Sequence, residues 1–360
     1  MASSSSSTPS HPPRSINLAL QGGGSHGAFT WGVLDTLLAD ERLRIEGVSG
    51  TSAGAVNAVA LAHGFARSKT ASREAARQAL AHIWQEVVAL GSVGTAQENL
   101  TNLIWGTLPK EFVPTNFFSN AISSLVSPYQ ANPLDINPLR SLLEREIDFA
   151  AVAKLNTPKI FVSATRVATG KAEIFHGKRL TAQAVMASAC LPMLYQAVEI
   201  DGEAYWDGGY SGNPALAPLI NLCETRDLVL VQINPLRRDA TPHNPHDIMD
   251  RINELTFNAS LLAQMRTIDF INRMLDDGRL ASGPFKRVLL HRIDGGEALG
   301  ELPASSKMST DPTMIRKLFE LGVASAQRWL GQHFDALGEA STVDIRRDYL
   351  DDMRMGGLSR

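Results

Sequence analysis

Residues 15–65 read SINLALQGGGSHGAFTWGVLDTLLADERLRIEGVSGTSAGAVNAVALAHGF, and this stretch decides the fold. Residues 15–21 are a short apolar run with a β-rich centre, closed by Gly22-Gly23-Gly24. Residues 28–38 then set Phe29, Val33, Leu34 and Leu37 at helical spacing. A second strand over residues 43–49 meets Gly50, and a small-residue helix follows from Ala53 to residue 65. Strand, glycine turn and helix, repeated at once, predict an α/β fold whose first strands run parallel.

Outward from there the pattern continues. Residues 71–90 form an amphipathic helix through Leu80, Ile83, Trp84, Val87 and Val88. Asn137-Pro138 opens another, with Leu139, Leu142, Leu143 and Ile147 on one face. Strands are expected over 159–166, 227–233 and 287–293, and a hairpin over 199–206, because Asp201-Gly202 suits a type I′ turn. Residues 247–275 carry a long helical pattern through Ile248, Ile252, Leu255, Leu262, Ile268, Ile271 and Leu275, and Asp311-Pro312 caps a last helix. No repeat and no clean linker interrupts the series. The expected organisation is one α/β domain over 16–337, a central, mostly parallel sheet flanked by helices. It lies between a disordered Ser/Pro-rich tail (1–15) and a charged tail (338–360).

The 360 residues are 44% hydrophobic and 20% charged, ordinary globular usage. Thirty-four Lys and Arg against 37 Asp and Glu leave a net charge of −3, which offers no footprint for nucleic acid. Two cysteines, Cys190 and Cys223, exclude a disulfide scaffold and read as buried thiols of a cytoplasmic protein. The Ser/Pro-rich start lacks the charged and apolar regions of a Sec signal, and its single Arg14 is thin support for a transit peptide. Residues 47–66 and 112–134 are uncharged but too polar or too proline-broken to span a bilayer, so a soluble protein is expected. Within the second stretch Phe117, Phe118, Ile122, Leu125, Val126 and Tyr129 read as a core-covering helix, or as a lid with reversible contact to a membrane surface.

Three glycine-rich turns carry the chemistry. Gly50-Thr51-Ser52-Ala53-Gly54 fits G-x-S-x-G, in which a serine sits on a sharp strand-to-helix turn between glycines. Amides at the new helix start, Ala53 among them, then face an oxyanion. Gly23-Gly24-Ser25-His26-Gly27 fits the same pattern, so the pattern alone does not separate Ser52 from Ser25. Gly22, Gly24 and Gly27 also spell a dinucleotide fingerprint, with Glu46 as its acid. Glu46, however, lies inside a strand that runs on through Val48 and Ser49, whereas a ribose-binding acid ends its strand. The third turn is Trp206-Asp207-Gly208-Gly209-Tyr210, an acid at the end of a hairpin strand. No His, Cys or Asp spacing reads as a metal site.

Taken together, the three turns resemble the patatin-like phospholipase family in order and spacing. The resemblance extends to Ala187-Ser188-Ala189-Cys190-Leu191-Pro192 and to Asn213-Pro214, and covers roughly residues 16–234. It implies a three-layer patatin-like fold and a serine hydrolase acting on lipid or other acyl esters, with no cofactor. Ser52 would be the nucleophile, Asp207 its general base, and the amides of Gly22, Gly23 and Gly24 most of the oxyanion hole. Gly27, Gly50, Gly54, Gly208 and Gly209 would support the turns. One departure stands out: the family's glycine loop usually carries Arg or Lys where this chain has His26, which would act only when protonated or through hydrogen bonds.

The chemistry is self-consistent. A serine hydroxyl needs a base within reach, and a lone carboxylate serves only if burial raises its pKa, as walls of Trp206, Leu191 and Met193 would do. The competing enzyme is a Ser-Asp-His α/β-hydrolase using His243, His246, His291 or His333, each of which reads as a surface or helix residue. His63 and His82 fall on helices. A non-catalytic dinucleotide binder using the 22–27 loop is the other alternative.

Overall fold

β1 (Arg14–Leu20) is buried on both faces from Ile16 onward, as a strand inside a parallel sheet must be. The computed structural model describes residues 13–105, 127–133, 135, 137–281, 283, 285–302 and 304–350. The expected tail over 1–12, residues 112–126 of the lid candidate and the end of the chain from 351 lie outside them. The other strands are β2 (Leu43–Gly50), β3 (Lys159–Arg166), β4 (Ala172–His176), β5 (Val198–Ile200), β6 (Glu203–Asp207), β7 (Asp227–Gln232) and β8 (Leu289–Asp294). They form one sheet in the order β5-β6-β3-β2-β1-β7-β8, with β4 also paired to β3. Pairing is parallel from β3 through β2, β1 and β7 to β8, and antiparallel at β4, β5 and β6.

Helices cover both faces. α1 (Gly27–Ala39), α2 (Ala53–Arg67), α3 (Ser72–Trp105), α4 (Pro138–Glu146), α5 (Ala182–Ser188) and α7 (Pro312–His333) lie on the side of the larger core, while α6 (Pro245–Asp276) packs on the smaller one. β7 divides its side chains accordingly, Val229 and Val231 into the larger core and Leu228 and Leu230 into the smaller. α1 and α7 cross at Gly32 and Gly322, where a Cβ on either would run into a carbonyl of the other helix. That contact anchors the helix that carries the first glycine turn. In the 199–206 hairpin, Asp201 and Gly202 both have positive φ, as a type I′ turn requires.

Two differences from the sequence reading have physical causes. Residues 338–350, read as a tail from their mixed charge, pack on the sheet: Val343, Ile345 and Tyr349 are buried, and the Tyr349 hydroxyl donates to Gln232 Oε1 at 2.7 Å. Their apolar residues are dispersed among charges and carry no helical or strand period. In α6, Ile248, Ile252 and Leu255 are exposed, and the buried face carries Glu254, Asn258, Leu261, Met265 and Ile268. The helix is apolar on two sides, so its period alone does not say which one faces inward.

One pairing detail positions the site. β4 pairs with β3 from Phe161 to Thr165, which occupies one edge of β3 over that length. β2 (to Val162) and β6 (from Ala164) therefore share the other edge. Gly50, the last residue of β2, lies opposite Val162, and Asp207, the last of β6, lies opposite Ala164. Asp207 is thus set about 7 Å beyond the end of β2 on the same line.

Candidate active site

β2 ends at Gly50 and α2 begins at Ala53, so Thr51 and Ser52 must redirect the chain between them. Ser52 absorbs the turn with φ 54° and ψ −122°, backbone that residues with a Cβ rarely adopt and that costs roughly 1–3 kcal/mol. Close approach explains the flanking glycines: a Cβ on Gly50 would collide with the Gly54 carbonyl, and one on Gly54 with that of Leu20. The turn is held by hydrogen bonds. The Thr51 hydroxyl lies 2.6 Å from Ser163 Oγ and donates to Gly212 O at 2.7 Å, while the Ser52 amide donates to Ser188 Oγ at 2.9 Å. Ser25, the competing match, lies in a 3-10 turn (Gly24–His26) in which Gly24, not the serine, takes the positive φ. Backbone geometry separates the two serines where the sequence pattern does not.

The first glycine turn lies against this elbow. A Cβ on Gly22 would sit 2.7 Å from Ser52 Cβ and 2.8 Å from Thr51 O. Both polar atoms of Gly22 are engaged: its amide donates to Asn213 Oδ1 at 2.6 Å, and its carbonyl accepts from Asn234 Nδ2 at 2.7 Å. Gln21 Oε1 in turn accepts from the amides of Ile233 and Asn234, each at 2.9 Å. Of the four amides expected to face an oxyanion, Gly22's is therefore taken, while those of Gly23, Gly24 and Ala53 have no acceptor among the described residues. Asn57 Nδ2, in α2, holds the Gly27 carbonyl at 3.0 Å and ties the two turns together. His26 is buried, with Nε2 2.7 Å from Ser306 Oγ. Burial, reinforced by the charges of Lys307 and Arg238, pushes it down to about 4, so near neutral pH it holds the loop as a neutral hydrogen-bonding group.

Asp207 completes the site. It is 1% exposed; its amide donates to Cys190 O at 2.7 Å and its carbonyl accepts from Thr165 Oγ1 at 2.8 Å. Oδ1 accepts the Gly209 amide at 2.7 Å. Oδ2 is buried and lacks a full hydrogen bond among the described residues. Burial pushes the acid from 3.8 up to about 7, offset in part by the Gly209 amide and by the Ser52 hydroxyl, which is near the carboxylate without well-aligned geometry to Oδ2. Such a carboxylate is matched to accepting a proton near neutral pH. Met193, expected to wall the acid, is 72% exposed. Phe257 of α6 lies close against Gly209 and stands edge-on to Tyr210 at 5.1 Å between ring centres.

A sequence model of the patatin-like phospholipase family matches residues 18–220, which include all three turns. This chain belongs to the patatin-like phospholipase family. Membership supports a lipid acyl hydrolase activity in general, and the mostly parallel, helix-flanked sheet is consistent with the patatin fold. The crystal structure of VipD from Legionella pneumophila is similar over 96% of this chain and 75% of that one, at 15% identity and a TM-score of 0.46. A comparison with curated proteins yields no match. No helix among the described residues is long and apolar enough to cross a membrane.

In this patatin-like chain no histidine hydrogen-bonds to Asp207 among the described residues. His291, read as a surface or helix residue, is instead buried on β8, with Nε2 3.0 Å from Asp227 Oδ1 and Nδ1 3.1 Å from Thr342 Oγ1. Asp227 opens β7, four residues before Val231, which pairs with Leu20 beside the glycine turn. The pair is therefore about 13 Å of strand away from the site end of the sheet. His63 Nδ1 accepts the Asp148 amide, His82 pairs with Glu146, and His243 is exposed. Glu46 accepts the amides of Glu224 and Thr225 at 2.5 and 2.8 Å, so the acid of the dinucleotide fingerprint is engaged in holding the turn before β7. Sequence reasoning missed Ser188, Asn213, Asn234 and Lys307 as supports. The first two lie in quoted motif runs; the last two have no local signal at all.

Proposed function

We propose that this chain hydrolyses carboxylic esters of lipids through a seryl acyl-enzyme, with Ser52 as nucleophile and Asp207 as its general base. The observation that carries the reading is Asp207 itself. It is an enclosed carboxylate beside the elbow serine, with one oxygen lacking a full hydrogen bond and a pKa near neutrality. Ser52 Oγ attacks the ester carbonyl carbon as Asp207 takes its proton, and the tetrahedral oxyanion is received by the amides of Gly23, Gly24 and Ala53. Each well-aimed donor of this kind is worth about 3–4 kcal/mol in the transition state. Collapse breaks the bond to the alcohol, which leaves with the proton from Asp207. Water then attacks the acyl-serine as Asp207 accepts its proton, and Asp207 returns that proton to Ser52 Oγ as the carboxylic acid departs. The cycle needs no cofactor.

The test is intact-protein mass after treatment with a fluorophosphonate, on wild type and on Ser52→Ala and Ser25→Ala. One adduct, absent only from Ser52→Ala, supports the assignment. An adduct absent only from Ser25→Ala moves the nucleophile to the first turn, and no adduct in wild type rejects the hydrolase reading.

A further inference from the structure

Lys307 lies in the 3-10 turn Ala304–Met308, outside the residues matched by the family. Its ammonium group is part-buried, forms no ion pair among the described residues, and donates instead to a neutral amide oxygen, Asn234 Oδ1, at 2.7 Å. Isolating an ammonium group in this way is costly unless it does something a neutral side chain does not. Burial holds its pKa below the ordinary lysine range, with Glu254 pulling the other way.

The chemistry of the contact gives that role. A side-chain amide presents oxygen and nitrogen in nearly the same shape and can sit either way round. An ammonium group has donors only, so the atom it meets must be oxygen. With Oδ1 held by Lys307, Nδ2 of Asn234 is directed to the Gly22 carbonyl at 2.7 Å. That carbonyl and the Gly23 N–H belong to one planar trans peptide and point in opposite directions. Fixing the first therefore aims the second. The Gly23 amide is one of the three without an acceptor, and the Lys307 main-chain carbonyl backs onto the neighbouring Gly24, where a Cβ would collide with it.

We infer that Lys307 is a positioning residue of the oxyanion loop, which acts through Asn234 and the Gly22 carbonyl to aim the Gly23 N–H at the reacting ester. This rests on the hydrolase reading above. Gln21 Oε1 accepts from Asn234 Nδ2 at 3.2 Å and favours the same amide orientation, so loss of Lys307 weakens the brace without abolishing it.

The test compares wild type with Lys307→Met, Lys307→Arg, Asn234→Ala and the Lys307→Met/Asn234→Ala double variant. Three properties are read: kcat and KM on a soluble p-nitrophenyl ester, thermal melting, and deuterium exchange of the peptide spanning residues 16–30. Lys307→Met is expected to lower kcat by about 10-fold to 100-fold, less than the ~10²–10³-fold that follows outright loss of an oxyanion donor, with KM within about threefold. Exchange at residues 22–24 rises while the melting temperature stays close to wild type. Arginine, also donor-only, recovers part of the rate, and the double variant is no worse than Asn234→Ala alone, because both act along one path. Unchanged kcat and loop exchange in Lys307→Met overturn the inference, as do additive effects in the double variant. A wild-type protein that takes no fluorophosphonate at Ser52 rejects the hydrolase reading instead, and the loop exchange still decides the brace.

Discussion

Two aspartates are buried in the same sheet, and their surroundings differ in kind. Asp227, at the start of β7, meets His291 Nε2 at 3.0 Å and the Gly338 amide at 2.8 Å, both on Oδ1. Asp207, at the end of β6, keeps one strong contact on Oδ1, lacks a full one on Oδ2, and is pushed up to about 7. A buried acid that only holds a fold together is expected to have its desolvation offset by partners, and Asp227 does, tying β7 to β8 and to the turn after Leu337. Asp207 gives up part of that compensation. The sheet holds it there through main-chain bonds, to Cys190 and Thr165, that do not depend on its charge. An under-compensated carboxylate on a well-tethered backbone is the pattern expected of a site, and one bonded to two neighbouring elements is the pattern of a joint.

The contrast can be broken by exchange of roles. The largest expected effect is at Ser52 and Asp207: Ser52→Ala and Asp207→Asn should each cut ester turnover by on the order of 10⁴-fold or more, with a melting temperature no lower than wild type. Substantial turnover in either variant, measured with a soluble ester, would end the proposed assignment.

Next in size is a pH effect on stability. In the folded chain Asp207 titrates near 7 and in the unfolded chain near 3.8, so between those values the folded state holds a proton that the unfolded state has lost. Its contribution therefore falls as pH rises through that window, by ~4 kcal/mol in all, and is flat above it. His26 acts with the opposite sign, since its pKa drops from 6.5 to about 4 on folding and stability from this group rises with pH between those values. Subtracting denaturant-unfolding curves of Asp207→Asn from those of wild type isolates the aspartate. A difference independent of pH from 4 to 7 would mean that the acid is not strained by burial. Activity should run the other way, rising with pH through about 7 as the base form appears.

Asp227→Ala should cost about 3 kcal/mol of stability by leaving His291 Nε2 and the Gly338 amide without their acceptor, while kcat per folded molecule stays within about twofold. A large loss of kcat at unchanged stability would instead place the His291 pair in the chemistry. The smallest change is expected at Ser25→Ala, a reduction of a few-fold through disturbance of the glycine turn, read as kcat on the same ester.

Much of this was open to a linear reading. The two strand–turn–helix units, the hairpin at Asp201-Gly202 and the capped starts of α4 and α7 follow from local rules, because periodicity, turn chemistry and end-capping act over a few residues. The strand-to-helix turn at Ser52 was legible too, though Ser25 fits the same pattern, and only the backbone angle at Ser52 sets the two turns apart. The tail after 338 was misjudged because its buried residues are too dispersed to show a period.

By itself, then, the sequence determined that there are three glycine turns, that one carries a serine between a strand and a helix, and that another ends a hairpin in an acid. Only the tertiary structure decided where the acid lies relative to the serine. β3 offers β2 and β6 the same edge in succession, so Asp207 comes to lie just beyond Gly50, a matter of register between distant strands. The same holds for Asn213, Asn234 and Lys307, which reach the Gly22 peptide from remote parts of the chain. Hydrogen bonds depend on distance in space, and no local rule along the chain records which remote amide will be within 3 Å of a loop.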